Sequence, residues 1–169
     1  MRLNRRQLLA LLAAPPALAA LATVGVGVHW WDQPPGATMR HLSPDEAEFI
    51  RAFAGAAWPA TEACALDGAQ ADLDHLFDES LSGLELRARQ AARLGLHALD
   101  QVPLVSHGHT FHGLDPAARG QVLASWLDSD LMPLRAAVTG VVVLVGMGYT
   151  THPRTEAVFS GLYRCWYGR

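Results

Sequence analysis

The chain contains no lysine: all 13 basic residues are arginine, set against 16 acidic ones. We read that bias as codon usage rather than chemistry. Four arginines (Arg2, Arg5, Arg6, Arg40) fall in the first forty residues, so residues 41–169 carry only 9 basic and 15 acidic side chains. An acidic body without a basic stripe argues against nucleic acid as a partner, because phosphate backbones are held by clustered positive charge. It also offers no polybasic patch to anionic lipid. Cysteine is scarce too, with Cys64 and Cys165 alone. No C-x-x-C spacing occurs, which excludes a zinc ribbon or a thioredoxin-type pair. In an oxidising compartment the two cysteines can pair, or one can bridge to a partner; the plain alternative is two small buried thiols.

Catalytic patterns are missing as well. There is no G-x-S-x-G, and Ser106-His107 lacks a nearby orienting acid and an oxyanion hole. Gly146-Met147-Gly148-Tyr149-Thr150-Thr151 imitates a dinucleotide loop, but Thr151 stands where the third glycine belongs and no βαβ pattern surrounds it. It reads better as a helix C-terminus followed by a turn. The acidic run Asp72, Asp74, Asp78, Glu79 lacks the glycine and terminal glutamate of a calcium loop and reads as a solvated helix face. His107, His109 and His112 are the one local cluster of metal-ligand types, suited to zinc or copper. No carboxylate or cysteine lies close to them in sequence except Asp115, which is expected to cap a helix. We therefore expect no catalytic and no cofactor-binding residue in this chain.

What is present is an address followed by a globular body. Of 169 residues, 50% are hydrophobic and 17% charged, enough for one domain with a real core. Arg5-Arg6, one polar residue and Leu8-Leu9 open an apolar run to Val28, in the layout of a twin-arginine export signal spanning residues 1–28. Asn4 and Leu8 depart from the commonest form of that signal. Ala17-Leu18-Ala19 and Ala20-Leu21-Ala22 have the small-x-small form of a cleavage site. Uncleaved, the run could just span a bilayer, although Pro15-Pro16 would kink it. Residues 29–41 read as a linker, broken by Pro34-Pro35-Gly36.

Residues 42–169 read as an all-α bundle of about five to six helices. Ser43-Pro44-Asp45-Glu46 is a capping box, and the first helix should stop at Trp58 before Pro59. A loop over 59–69 precedes a short helix over 70–81 with Leu73, Leu76 and Phe77 inward. The next helix runs from Leu84 to Val102, with Leu84, Ala88, Ala91, Ala92, Gly95, Leu99 and Val102 as its inner stripe and Glu85–Arg89 as an ion pair. Asp115-Pro116 caps a helix facing inward through Val122, Leu123, Trp126 and Leu127. Asp130 caps another through Met147, and Gly148–Pro153 turns into a last helix over 154–167. Val138–Val145 is rich in β-branched residues, but no second strand is on offer, so we read a buried helix. The C-terminal helix packs through Phe159, Leu162 and Trp166. Cys165 and Tyr167 lie off that face and are the candidate partner contacts, Tyr being a common interface anchor.

The order of short motifs is distinctive. A twin-arginine leader precedes Leu42-Ser43-Pro44-x-Glu46, then Trp58-Pro59-Ala60-Thr61, Gly68-Ala69, Arg93-Leu94-Gly95-Leu96 through Leu99-Asp100, Phe111-x-x-Leu114-x-Pro116-x-x-Arg119, and Gly148-Tyr149-Thr150-Thr151-x-Pro153. This series resembles the gluconate 2-dehydrogenase subunit 3 family, over nearly the whole chain. Trp58 and the stretch from Cys64 to Gly68 depart from the family's usual pattern. The resemblance implies a non-catalytic small subunit. It would escort a large FAD-containing subunit of the glucose-methanol-choline type through twin-arginine export and stay bound to it in the periplasm, often beside a cytochrome c subunit. Membrane association would come through that complex or an uncleaved leader. The FAD would belong to the partner. The alternative reading is a stand-alone periplasmic metal-binding helical protein using His107, His109 and His112.

Overall fold

A serine, a proline and two acids start the first helix, as capping chemistry dictates. The computed structural model describes residues 33–164, and the side chains among them except those of residues 157 and 161–164. The chain divides into two units after Pro34, and every helix of the bundle belongs to the second. The helices are α1 (Pro44–Ala57), α2 (Leu73–Ser82), α3 (Leu86–Gln101), the single turn α4 (Leu104–His107), α5 (Pro116–Leu127), α6 (Met132–Thr151) and α7 (Pro153–Arg164), with a 3₁₀ turn at Gly68–Gln70. The fold is all-α: six helices are ten residues or longer, and no strand occurs among the described residues.

α1 is the axis of the bundle, touching α2, α3, α5, α6 and the 3₁₀ turn. The Ser43 hydroxyl accepts the Glu46 N–H, and the Glu46 carboxylate accepts the Ser43 N–H, closing the capping box. The helix ends at Trp58, where Pro59 forces the backbone out of helical geometry. Phe49 and Phe53 of α1 meet Phe111 from the loop before α5, with ring centroids 5.6 and 5.9 Å away. Phe111 in turn stacks on Trp126 of α5 at 5.2 Å. Phe111 is completely buried, so a loop residue supplies the centre of the core.

Three elements differ from the expectation. α3 is turned over: Leu84, Ala88, Ala91 and Val102 are exposed, and only Ala92 and Leu99 of the expected stripe pack inward, joined by Leu96. A Cβ added at Gly95 would meet nothing within 4 Å. The inward face instead carries Arg93 and Asp100, because buried polar groups on neighbouring segments need partners. α6 is helical despite its β-branched run, yet it is not a buried helix. Val138, Val145, Gly148 and Tyr149 are buried, whereas Met132, Val143 and Met147 are exposed. α6 also runs on through Gly148 to Thr151. Gly146 lies against the Trp58 ring and Gly148 against the Leu73 and Leu76 side chains. The imitation of a dinucleotide loop is thus a pair of close helix contacts. Leu131, not Asp130, is its N-cap; the Ser129 hydroxyl accepts the Leu131 N–H. Smaller shifts are the outward positions of Leu76 and Leu127.

Gly68 is the tightest point. Its N–H donates to the Trp58 carbonyl at 2.8 Å. A Cβ there would run into the Ala54 carbonyl oxygen and lie 2.7 Å from its carbon, against backbone that cannot yield. Gly68→Ala should therefore destabilise the fold by about 2–3 kcal/mol, the range for overpacking. Gly95→Ala, in open space on a helix, should stabilise it by up to about 1 kcal/mol. Urea midpoints of the two variants moving in opposite directions would bear this out; equal shifts would refute it.

Candidate functional site

Polar side chains that a helical bundle would normally expose are buried here at three places, and each ties two segments together. The first is Glu46, third residue of α1 and buried. Besides its capping bond, its carboxylate takes the Arg93 guanidinium Nε at 2.9 and 3.1 Å. A carboxylate out of water requires such a partner. Arg93 Nη2 is itself buried with no hydrogen bond. One turn along α3 lies His97, which burial holds toward its neutral form despite the pull of Asp100, Glu46 and Asp45.

The second is Asp100, also buried, at the end of the same face of α3. It accepts the His112 N–H at 3.0 Å and contacts His112 Nδ1 at 3.0 Å through both oxygens. The Asp100 carbonyl accepts the Phe111 N–H, and Arg119 donates to the His112 carbonyl. These bonds seat Phe111 in the core. Together Glu46, His97, Asp100 and His112 border a cleft of about 160 Å³ between α1 and α3.

The third is Asp78, within the acidic run expected to be a solvated face. Asp74 and Asp78 are buried instead. Asp78 accepts the backbone N–H groups of Arg40, His41 and Leu42, all at 2.8 Å. Burial pushes its carboxyl up, but those three bonds and the nearby His41 outweigh it and leave it below the ordinary carboxylate value. Asp74 faces Arg51 at 3.7 Å. Arg89 does not pair with Glu85; it donates to the carbonyls of Leu81 and Leu84 and to His41.

Of the residues expected to carry function, Arg5, Arg6, Cys165 and Tyr167 lie outside the described residues. His107, His109 and His112 do not form a group. His112 turns to Asp100, His107 Nδ1 bonds Ser106 Oγ at 2.7 Å, and His109 is exposed. No three His, Cys, Asp or Glu side chains among the described residues are arranged to hold a metal ion. Cys64 is a free thiol. Its Sγ lies 3.1 Å from the Tyr149 hydroxyl, which donates to the Leu66 carbonyl at 2.6 Å. With its one proton spent on that carbonyl, Tyr149 must accept from the thiol. Burial, with Cys64, pushes the Tyr149 hydroxyl up to about 12. Trp58 stacks on Tyr149 at 5.7 Å.

Two helix faces are apolar and turned outward. On α6 and the turn before it, Leu131 is 66%, Met132 70%, Val143 54% and Met147 64% exposed. Ala136 and Gly140 flatten the surface between them, and Arg135 is the one charge on it. By length and composition α6 could cross a membrane, although α2, α5 and α7 pack against it. On α3, the stripe from Leu84 to Val102 continues to Val105. Sequence periodicity found the α3 stripe and assigned it to the core, and the Val138–Val145 segment of α6 reads in sequence as wholly buried. Asp78, Asp100 and Arg93 as buried ties were missed, because their partners lie 12 to 47 residues away in the chain. Comparison with family models, curated proteins and solved structures gives no match.

Removing the Asp78 carboxylate strands three backbone donors. Asp78→Ala should destabilise the protein by about 2–3 kcal/mol, the order expected for unsatisfied buried groups. Because the folded pKa is depressed, the stabilisation from ionised Asp78 is complete above the unfolded carboxylate value of about 4 and fades as pH falls through the lower folded value. Acid unfolding curves of wild type and Asp78→Asn should converge in that range. A constant gap at every pH would contradict this role for the carboxylate.

Proposed function

We propose that this chain is the non-catalytic small subunit of a periplasmic flavin-dependent sugar or alcohol dehydrogenase. It supports folding and twin-arginine export of the FAD-bearing large subunit and remains bound to it, with a cytochrome c subunit as a further neighbour in the complex. The observation that carries the reading is the outward apolar face of α6. Exposed apolar patches of this kind mark contact surfaces for protein or membrane, and here the face belongs to a bundle whose buried acids are engaged in structural ties. The Arg5-Arg6 leader and the order of motifs from Leu42 to Pro153 support the same reading. The flavin and the chemistry lie with the partner. Of the buried carboxylates, Glu46, Asp78 and Asp100 each accept two or more hydrogen bonds that hold the fold, and Asp74 faces Arg51.

The test is co-expression with a large glucose-methanol-choline-type flavoprotein. The two chains should copurify as a yellow complex that reduces an electron-accepting dye, while this chain alone should reduce none. Val143→Asp with Met147→Asp should weaken the association about tenfold or more, the scale of interface hot spots, with helical circular dichroism unchanged. Dye reduction by the isolated chain, or a monomer indifferent to any flavoprotein, would reject the proposal.

A further inference from the structure

The chain enters α1 through a strap, residues 36–42, laid on α2. A backbone turn shapes it, with the Gly36 N–H on the Leu42 carbonyl and the Met39 N–H on the Gly36 carbonyl, each 2.9 Å. Asp78 fastens it from below through the three N–H groups of Arg40, His41 and Leu42. The His41 imidazole fastens it from the side, using both nitrogens. Nδ1 lies 3.2 Å from Arg89 Nη1, and Nε2 lies 3.1 Å from Ser82 Oγ.

These partners specify a protonation state. A guanidinium only donates, so Nδ1 must accept; the ring proton then sits on Nε2 and is donated to Ser82. The bonded imidazole is therefore neutral. Arg89 has little freedom to swing away, because its Nε is held by the Leu81 carbonyl at 3.0 Å and its Nη2 by the Leu84 carbonyl at 3.1 Å.

We propose that the strap is a proton-operated clasp, closed while His41 is neutral and loosened when His41 takes up a second proton. Protonation turns Nδ1 from acceptor to donor, facing an anchored cation. The charged and polar groups around it are Asp78 and Ser82 from α2, Arg89 from α3 and Arg40 from the strap itself. Asp78 is the acid that the structure places beside the ring and attracts an imidazolium. Its oxygens already hold the strap's N–H groups, so turning toward the ring weakens those bonds. Both responses, retreat from Arg89 and recruitment of Asp78, release the strap. Imidazole is the side chain that titrates within the range of about pH 5–8.

The experiment is amide hydrogen exchange of residues 40–42 in the full-length chain, at about pH 7.5 and about pH 5.5, corrected for intrinsic rates. Protection should fall about tenfold at the lower pH, the worth of a lost hydrogen bond. Asp78, with its carboxyl held below the ordinary value, stays ionised across that interval and cannot produce the change. His41→Gln should abolish the pH response, and Arg89→Leu should flatten it. Should Arg89→Leu fail to fold, His41→Gln decides alone. Equal protection of the wild type at both pH values overturns the proposal. So does a response that survives in His41→Gln or in folded Arg89→Leu.

Discussion

The carboxylate of Glu46 sets the arrangement of this bundle. It sits three residues into α1, where it completes the cap on Ser43, and the fold buries it. A buried carboxylate without a counter-charge is a severe penalty, and one hydrogen bond to a backbone N–H does not remove it. Arg93 does. To deliver Arg93, α3 must present the face that carries it to α1. That same face brings Asp100 and His97 inward and leaves Leu84, Ala88, Ala91 and Val102 outside. The orientation of a whole helix follows from the need of one ion, against the preference of its own apolar stripe.

Asp78 and Asp100 extend the same logic to segments that are not helical. Each is a helix residue whose carboxylate collects N–H groups from chain lacking a ladder of its own: residues 40–42 for Asp78, and His112 for Asp100. Irregular backbone carries donors that must be satisfied when buried. A carboxylate can accept several at once, and it does so with charge-assisted strength. The gain is positional. Asp100 and the Arg119 bond to the His112 carbonyl hold the loop so that Phe111 fills the space between Phe49, Phe53 and Trp126. Asp78 delivers Leu42, fully buried, to the core just before α1 begins.

Local chemistry was legible in the sequence. The Ser43–Glu46 box, the stop before Pro59, the Asp115 cap and the all-helical class all follow from short-range rules, and they hold. Periodicity located the helices and most of the inner faces of α2 and α5, but it misjudged the inner face of α3. A stripe records where apolar side chains align, not whether another element of the same chain covers them. For α3 the described residues supply too little cover, and among them α6 is covered on one side only. The buried acids were illegible for the opposite reason. Asp74 and Asp78 look like any charged helix face until the strap and Arg51 arrive from elsewhere in the fold. Glycines at 146 and 148 were noticed for spacing, when their role is to let α6 approach Trp58 and Leu76.

The composition of the two outward faces bears on what could cover them. Lipid is a poor candidate. A peripheral apolar face that docks on a membrane normally carries flanking cations, and α6 has only Arg135, already donating to the Ser129 carbonyl. The rest of the body is acidic, which opposes an anionic surface. Another protein fits better. Gly140 on α6 and Gly95 on α3 each have open space where a Cβ would point, so a facing helix could approach closely there, with Met132, Val143 and Met147 packing around the contact. Methionine adapts its shape to whatever meets it. A chain that spends its buried charge on holding itself together and turns flat apolar helices outward has the physical make-up that the proposed role of a subunit requires.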